Sequence, residues 1–200
     1  MYNLILDSST QVLYVAVTND NEVLFEKYIE GKNDHAKNIV FTVDEALKAA
    51  GIDSFKLDRV IVGFGPGSYT GVRIAITIAK TMATALDAKL YAVSSLRVLK
   101  DQAKPSICLI NARSGRSYIG VYEGTKTLLE DQIMKNEDVL KYIEEHPNYS
   151  VCGETKYLDI DGIISDNIQE MLSLKESLDS LNPLSLKPVY MKEEYAKPIY

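Results

Sequence analysis

Short apolar runs separated by polar residues dominate the first thirty positions of the chain. Residues 3–6, 12–17 and 23–28 are apolar runs of strand length, and the polar residues 18–21 are typical of a tight turn. Consecutive strands joined by tight turns pair with each other in antiparallel fashion. The pattern therefore predicts a three-stranded antiparallel unit at the start of the chain.

Longer segments with helical periodicity follow this unit. The elements predicted here are a helix over residues 34–50, a strand over 57–64, a helix over 70–86 and a strand over 89–93. Asn33 or Asp34 is the expected N-cap of the first helix, and Gly51 lies just beyond its end. Strands that alternate with helices in this way predict an α/β fold.

The pattern restarts after residue 104, where Pro105 disfavours helical geometry in the residue before it. A constant shift lays residues 4–29 over residues 108–133 without gaps and places Asp7 on Asn111. Strands and turns recur in register, which indicates an internal duplication. We therefore predict an N-terminal lobe of residues 1–103 and a C-terminal lobe of residues 104–200. The second lobe is reduced, because the repeated pattern is short after Cys152.

The composition is that of a folded globular protein, with 46% hydrophobic and 25% charged residues. The formal net charge is −6, and the lysines are scattered beside acidic residues. Proteins that bind nucleic acid usually carry a stripe of basic residues, because neutralisation of the phosphates supplies much of the binding affinity. We therefore expect any contact with nucleic acid to be indirect.

The N-terminus has no basic segment followed by an apolar one, and no stretch reaches about 20 apolar residues. These features predict neither a signal peptide nor a membrane span. Cys108 and Cys152 lie in strand-like runs, which is typical of buried reduced thiols. The expected location is the cytoplasm.

The glycine-rich segment over residues 63–71 joins a predicted strand to a predicted helix and could be a phosphate loop. Its spacing matches neither known fingerprint, because no lysine follows the glycines and Ser68 stands where a third glycine is needed. The segment also lacks the pattern around a hydrolase nucleophile. A structural turn before a capped helix and an anion site remain as alternatives.

Asp7 and Asn111 follow equivalent strands of the two repeats and could face each other across a cleft. Two carboxylates there could hold Mg²⁺ and a nucleotide, but Asn111 is neutral, which favours simple turn-closing roles. The two histidines are His35 and His146, and Ile39 occupies the position one helical turn after His35. No metal-binding helix and no self-contained catalytic centre is predicted.

The helix over residues 70–86 is too apolar for a helix that packs on one side only. Its apolar residues cover roughly two hundred degrees of the helix, whereas a stripe of about a hundred degrees suffices for a surface helix. Its apolar residues are Val72, Ile74, Ala75, Ile76, Ile78, Ala79, Met82, Ala83, Ala85 and Leu86. On the preceding helix, Phe41 lies opposite the apolar stripe, and together these features favour a protein partner surface.

Several motifs together resemble a known family. They are LDSST at residues 6–10, GPGSYTGVRI at 65–74, NAR at 111–113 and PVYMK at 188–192, with His35 opening the first helix. In these motifs the chain resembles the bacterial TsaB family of tRNA threonylcarbamoyladenosine biosynthesis proteins, in the actin and sugar-kinase superfamily. The glycine-rich stretch is the most specific of the four. The resemblance covers nearly the whole chain.

The resemblance implies two related actin/ribonuclease-H-like lobes, each a mixed sheet flanked by helices. It implies a non-catalytic scaffold subunit that needs no cofactor or metal. Its expected partners are the transferase TsaD, an ATPase subunit and a second copy of itself, with tRNA bound only indirectly. The complex adds threonylcarbamoyl to the adenosine next to the anticodon. The expected interface residues are His35, Phe41, Ser68, Tyr69, Arg73, Thr77, Ala79, Lys80 and Ala83, and Asp7 and Asn111 mark a degenerate cleft.

Two other functions stay open at this point. The duplicated lobes and Asp7 would suit a nucleotide-using enzyme of the sugar-kinase kind. Family members also resemble proteins described as glycoproteases, but no nucleophile and base, or metal ligands, are brought together by the sequence pattern. A peptidase is therefore the least favoured reading.

Overall fold

Consecutive apolar residues build the central strands of the first lobe. The first three strands are β1 (Tyr2–Asp7), β2 (Val12–Asn19) and β3 (Glu22–Glu30). β1 and β2 are buried on both faces, which explains their continuous apolar runs, whereas the edge strand β3 alternates between exposed and half-buried residues. The structure is a computed structural model that describes residues 1–31, 35–164 and 167–191, with side chains described from residue 38 onward in the first helix.

The remaining elements of this lobe are α1 (His35–Ala49), β4 (Leu57–Gly63), α2 (Tyr69–Leu86) and β5 (Lys89–Val93). The sheet has the order β3-β2-β1-β4-β5, with β1 and β2 antiparallel and with β4 parallel to both β1 and β5. Both helices cover one face of this sheet and share its core. The predicted N-caps Asn33 and Asp34 lie outside the described residues.

The second lobe repeats this arrangement in shortened form. Its elements are β6 (Ser106–Arg113), β7 (Arg116–Glu123), β8 (Lys126–Lys135), α3 (Asn136–Glu145) and β9 (Ser150–Gly153). The order β8-β7-β6-β9 matches β3-β2-β1-β4 of the first sheet, again with one parallel neighbour beside an antiparallel hairpin. The described part of this sheet has four strands where the first sheet has five. The predicted fold class, with a reduced second lobe, is confirmed.

The end of the chain returns to the first lobe. The last helix, α4 (Asn167–Lys175), packs Ile168, Met171 and Leu172 against the face of the first sheet that α1 and α2 leave uncovered. Farther along, Leu186 is buried in the core beneath α1 and α2. The division at residue 104 thus describes the two sheets, whereas residues 167–191 pack against the first lobe.

Among the described residues, no helix combines the length and the apolar character that a bilayer crossing requires. Cys108 and Cys152 lie opposite each other on β6 and β9 and are both buried and free. Burial raises the pKa of the Cys108 thiol, which keeps that group protonated.

Candidate functional site

The glycine-rich loop between β4 and α2 uses its main-chain donors within the protein. The Gly65 N–H donates to Ser95 Oγ at 3.1 Å, and the Ser68 N–H donates to the carbonyl oxygen of Ser9 at 2.6 Å. The Gly71 N–H donates to Ser68 Oγ at 3.3 Å, so Ser68 is the N-cap of α2. A phosphate would have to compete for these three donors, which favours the structural-turn alternative.

Steric contact explains the glycines of this loop better than a ligand does. A Cβ atom at Gly67 would lie 2.3 Å from the carbonyl oxygen of Ser9, and one at Gly71 would lie 1.8 Å from that of Ser8. Ser8 Oγ also donates to the carbonyl oxygen of Gly71 at 2.7 Å. The glycines therefore let the start of α2 sit directly on the turn that follows β1.

Asp7 and Asn111 occupy equivalent places in the two lobes, as the sequence repeat predicts. Asp7 Oδ1 accepts the N–H of Ser9 at 2.6 Å, and Asn111 Oδ1 accepts the N–H of Arg113 at 2.8 Å. Each side chain thus closes a turn two residues ahead of it. Both also line a cleft of about 820 Å³ between the lobes.

Asp7 is almost completely buried, with 2% of its surface exposed. Desolvation raises the pKa of Asp7 above its ordinary value of 3.8, against smaller opposing effects of hydrogen bonds from Ser95 and Ser9. Its Oδ1 is already used to close the turn to Ser9, which is typical of a structural Asx side chain.

Replacing Asp7 by asparagine tests this interpretation. The folded-state pKa of Asp7 lies above its unfolded value, so its contribution to stability is greatest below about pH 3.8 and is lost as the pH rises through the folded-state pKa. Asparagine cannot ionise and keeps the oxygen that accepts the Ser9 N–H, as Asn111 does in the second lobe. We expect Asp7→Asn to raise the free energy of unfolding at neutral pH, by about 1.4 kcal/mol for each unit by which the pKa is raised.

Urea unfolding of both proteins between about pH 4 and about pH 8 measures this difference. The same change at the exposed Asp179 is the control. A variant that is less stable than the wild type at neutral pH would show that the Asp7 carboxylate makes stabilising contacts in its ionised form.

The other candidate catalytic groups are dispersed. Within residues 1–31, 35–164 and 167–191, no three His, Cys, Asp or Glu side chains come together as a metal site. Ile39, one turn after His35, is fully buried in the first core, and the side chain of His35 lies outside the described residues. His146 Nδ1 lies 2.7 Å from the carbonyl oxygen of Tyr142, and the two rings stack.

Several of the predicted interface residues lie at the outer surface of α1 and α2. Phe41 is 74% exposed and Tyr69 is 58% exposed. Arg73 and Thr77 are exposed on the same helix as Tyr69. Lys80 is half-buried, because its Nζ donates to the carbonyl oxygen of Leu186 at 3.2 Å.

The structure corrects the placement of Ala79 and Ala83. Ala79 is fully buried and Ala83 is 2% exposed, and both belong to the core between α2 and the first sheet. Small side chains at these positions let the helix approach the strands closely. They face the protein's own core and are not available to a partner.

The apolar residues that α2 leaves partly exposed are on a different stripe. Ile74, Ile78 and Met82 follow each other at intervals of four residues and are only half-buried at the edge of the core. On α1, Val40 is 54% exposed beside Phe41. We call these five residues the α1–α2 surface. The apolar residues of the helical wheel include this stripe, but the sequence does not distinguish it from the residues of α2 that face the core.

Tyr190 is half-buried and belongs to the PVYMK motif, but the sequence did not predict it as part of the interface. Its ring stacks on that of Tyr69 at a centroid distance of 4.6 Å. Arg73 Nη1 donates to the hydroxyl of Tyr69 at 2.9 Å. The C-terminal segment thus contributes an aromatic ring to the start of α2, a contact between residues more than a hundred positions apart.

Comparison with known proteins identifies the family. The family model described as TsaD, tRNA N6-adenosine threonylcarbamoyltransferase, matches residues 23–171. The chain is 35% identical over 141 residues to the tRNA threonylcarbamoyladenosine biosynthesis protein TsaB of Bacillus subtilis, with 68% of this chain and 61% of that protein covered. It is 24% identical to TsaB of Haemophilus influenzae over 221 residues, with 96% and 93% covered. The chain therefore spans about three fifths of the Bacillus subtilis relative and nearly all of the other.

Among solved structures, YeaZ from Pseudomonas aeruginosa matches with a TM-score of 0.82 and 23% identity, covering 94% of this chain and 99% of that one. This likeness shows that the two chains share the same two-lobed fold. Because the family model covers well over half of the chain, the chain belongs to the tRNA N6-adenosine threonylcarbamoyltransferase family, and both of the relatives described above are TsaB proteins.

Proposed function

We propose that the protein is a non-catalytic partner subunit of the complex that adds threonylcarbamoyl to the adenosine next to the tRNA anticodon. The observation that carries this proposal is the α1–α2 surface, where apolar side chains are exposed on α1 and half-buried on the adjacent α2. The names of the relatives supply the pathway. The transferase of that pathway, TsaD, is the partner we assign to this surface.

The chemistry of the α1–α2 surface suits a protein partner. Burial of one large apolar side chain contributes roughly 1.5–3 kcal/mol, and aromatic residues dominate the energetics of interfaces. Phe41 has the largest exposed fraction within this surface. Arg73 and Tyr69 are exposed on α2 and are of the residue types enriched at interface hot spots.

The absence of catalysis in this subunit is supported by the roles of its candidate groups. Asp7 and Asn111 close turns, and the loop after β4 binds its neighbours through its own donors. We expect the reaction to take place on the transferase, and the net charge of −6 favours tRNA contact through that partner. An ATPase subunit completes the complex, and a homodimer can form through the same surface when the partner is absent.

We place the complex in the cytoplasm, where the buried thiols of Cys108 and Cys152 stay reduced. Mixing the purified chain with the transferase and measuring mass by light scattering tests the proposal. We expect a complex of one copy of each protein in its simplest form. No complex between folded proteins, with the ATPase subunit and nucleotide also supplied, would overturn the proposal.

The cleft of about 820 Å³ supports one alternative, a nucleotide-using enzyme of the sugar-kinase kind. Calorimetry with ATP and Mg²⁺ on the isolated chain separates the two. Micromolar binding that is lost in Asp7→Ala would favour the enzyme. Under the partner-subunit proposal we expect no heat of ATP binding from the wild type or from Asp7→Ala.

A further inference from the structure

Glu154 lines the cleft, and its carboxylate accepts a hydrogen bond from each lobe. Its Oε1 accepts the N–H of Gln11 at 3.0 Å, and its Oε2 accepts the N–H of Asn111 at 2.9 Å. Gln11 belongs to the turn between β1 and β2 of the first lobe, and Asn111 lies near the end of β6 in the second. Each carboxylate oxygen is therefore bonded to a different lobe.

The backbone conformation of Gly153 positions Glu154 in the cleft. Gly153 has a φ of +94°, and a Cβ atom at this position would lie 2.4 Å from the carbonyl oxygen of Leu109. The N–H of Glu154 donates to that same carbonyl oxygen at 2.9 Å. The chain leaves β9 through a turn that only glycine adopts without strain, and this turn brings the Glu154 carboxylate into the cleft.

Backbone N–H groups that point at one position can bind an anion there. Hydrogen bonds from N–H groups to an ionised carboxylate are stronger than those between neutral groups. In this protein the receptor formed by Gln11 and Asn111 already holds an anion of the chain itself. A phosphate group could use these two donors only by displacing the Glu154 carboxylate.

We propose that Glu154 is the resident anion of the interlobe cleft. It joins the two lobes in one fixed arrangement, and it keeps phosphate-bearing ligands from the Gln11 and Asn111 donors. The proposal concerns the cleft and is independent of the partner assigned to the α1–α2 surface. It also gives a physical reason for the absence of nucleotide binding that we expect from the isolated chain.

Amide exchange measured by NMR on the full chain tests whether Glu154 joins the two lobes. In Glu154→Ala we expect the amides of Gln11 and Asn111 to exchange about tenfold faster or more, as loss of a hydrogen bond to a charged group requires. Glu154→Gln keeps the volume and one acceptor oxygen, so one of the two amides should exchange faster. Glu123→Ala, at the exposed far end of β7, is the control and should change neither amide.

Titration with inorganic pyrophosphate tests whether Glu154 keeps anions from the Gln11 and Asn111 N–H groups. We expect saturable binding to Glu154→Ala that shifts the amide signals of Gln11 and Asn111, and no such shifts in the wild type. Equal binding to both proteins, or no binding to the variant, would overturn the assignment of Glu154 as resident anion. Unchanged exchange of both amides in folded Glu154→Gln would overturn the proposal that Glu154 joins the two lobes. This measurement does not depend on the alanine variant being folded.

Discussion

Replacing Phe41 by aspartate is expected to weaken association with the transferase by at least about a hundredfold. Loss of a buried aromatic side chain at an interface costs about 2 kcal/mol or more, and the new carboxylate would lose its water without gaining a partner. A tenfold change in affinity corresponds to about 1.4 kcal/mol. Because Phe41 is 74% exposed in the free chain, the substitution leaves the fold intact.

Phe55 provides a matched control for this experiment. It is 79% exposed on the short helical turn between α1 and β4, so Phe55→Asp makes the same chemical change outside the α1–α2 surface. Light scattering and calorimetry should show wild-type association for this variant. Normal binding by folded Phe41→Asp would place the partner elsewhere on the molecule. Loss of self-association alone would assign the surface to a homodimer.

Ala79→Arg separates surface effects from folding effects. Ala79 is fully buried between α2 and the first sheet, so an arginine there would bury an unpaired charge in the core. We expect this variant to lose association because it unfolds, as seen by circular dichroism. Phe41→Asp should lose association while its circular dichroism spectrum stays that of the wild type.

Gly71→Ala, in the first turn of α2, is expected to cause a large loss of stability. The added Cβ would lie 1.8 Å from the carbonyl oxygen of Ser8, a main-chain atom that cannot rotate away. The start of α2 must therefore move off the turn after β1 and lose the hydrogen bond from Ser8 Oγ. We expect the free energy of unfolding to fall by about 3 kcal/mol, at the upper end for overpacking.

Urea unfolding of Gly71→Ala and Gly31→Ala measures this effect with a control. A Cβ atom at Gly31 would meet nothing within 4 Å, so that variant should differ little from the wild type. Because α2 starts at Tyr69, we also expect Gly71→Ala to weaken partner association where the protein remains folded. Equal stability of the two variants would show that the loop has room to shift.

Local patterns were sufficient to predict most of the elements. The strand predicted over 89–93 is β5, and the helix predicted over 70–86 begins one residue earlier at Tyr69. Periodicity, turn residues and caps act over a few positions, so they can be recognised from the sequence. The duplication was legible for the same reason, because each copy repeats these local signals.

The orientation of α2 was not predictable at the level of single residues. Its apolar residues cover roughly two hundred degrees, so the wheel could not say which half faces the sheet. The structure turns Ala79 and Ala83 inward and leaves Ile74, Ile78 and Met82 at the edge of the core. That choice depends on how closely β1 and β4 approach the helix, which is a property of packing.

The sequence alone determined the α/β class, the two related lobes and the family resemblance, and it reduced residues 63–71 to two alternatives, a turn before a helix or an anion site. These features depend on residue types at short spacings. Only the tertiary structure showed that Ser9 receives the loop, that α4 returns to the first lobe, and that Glu154 bonds both lobes. These contacts join residues that are far apart in the chain, and the topology of the two sheets brings them together.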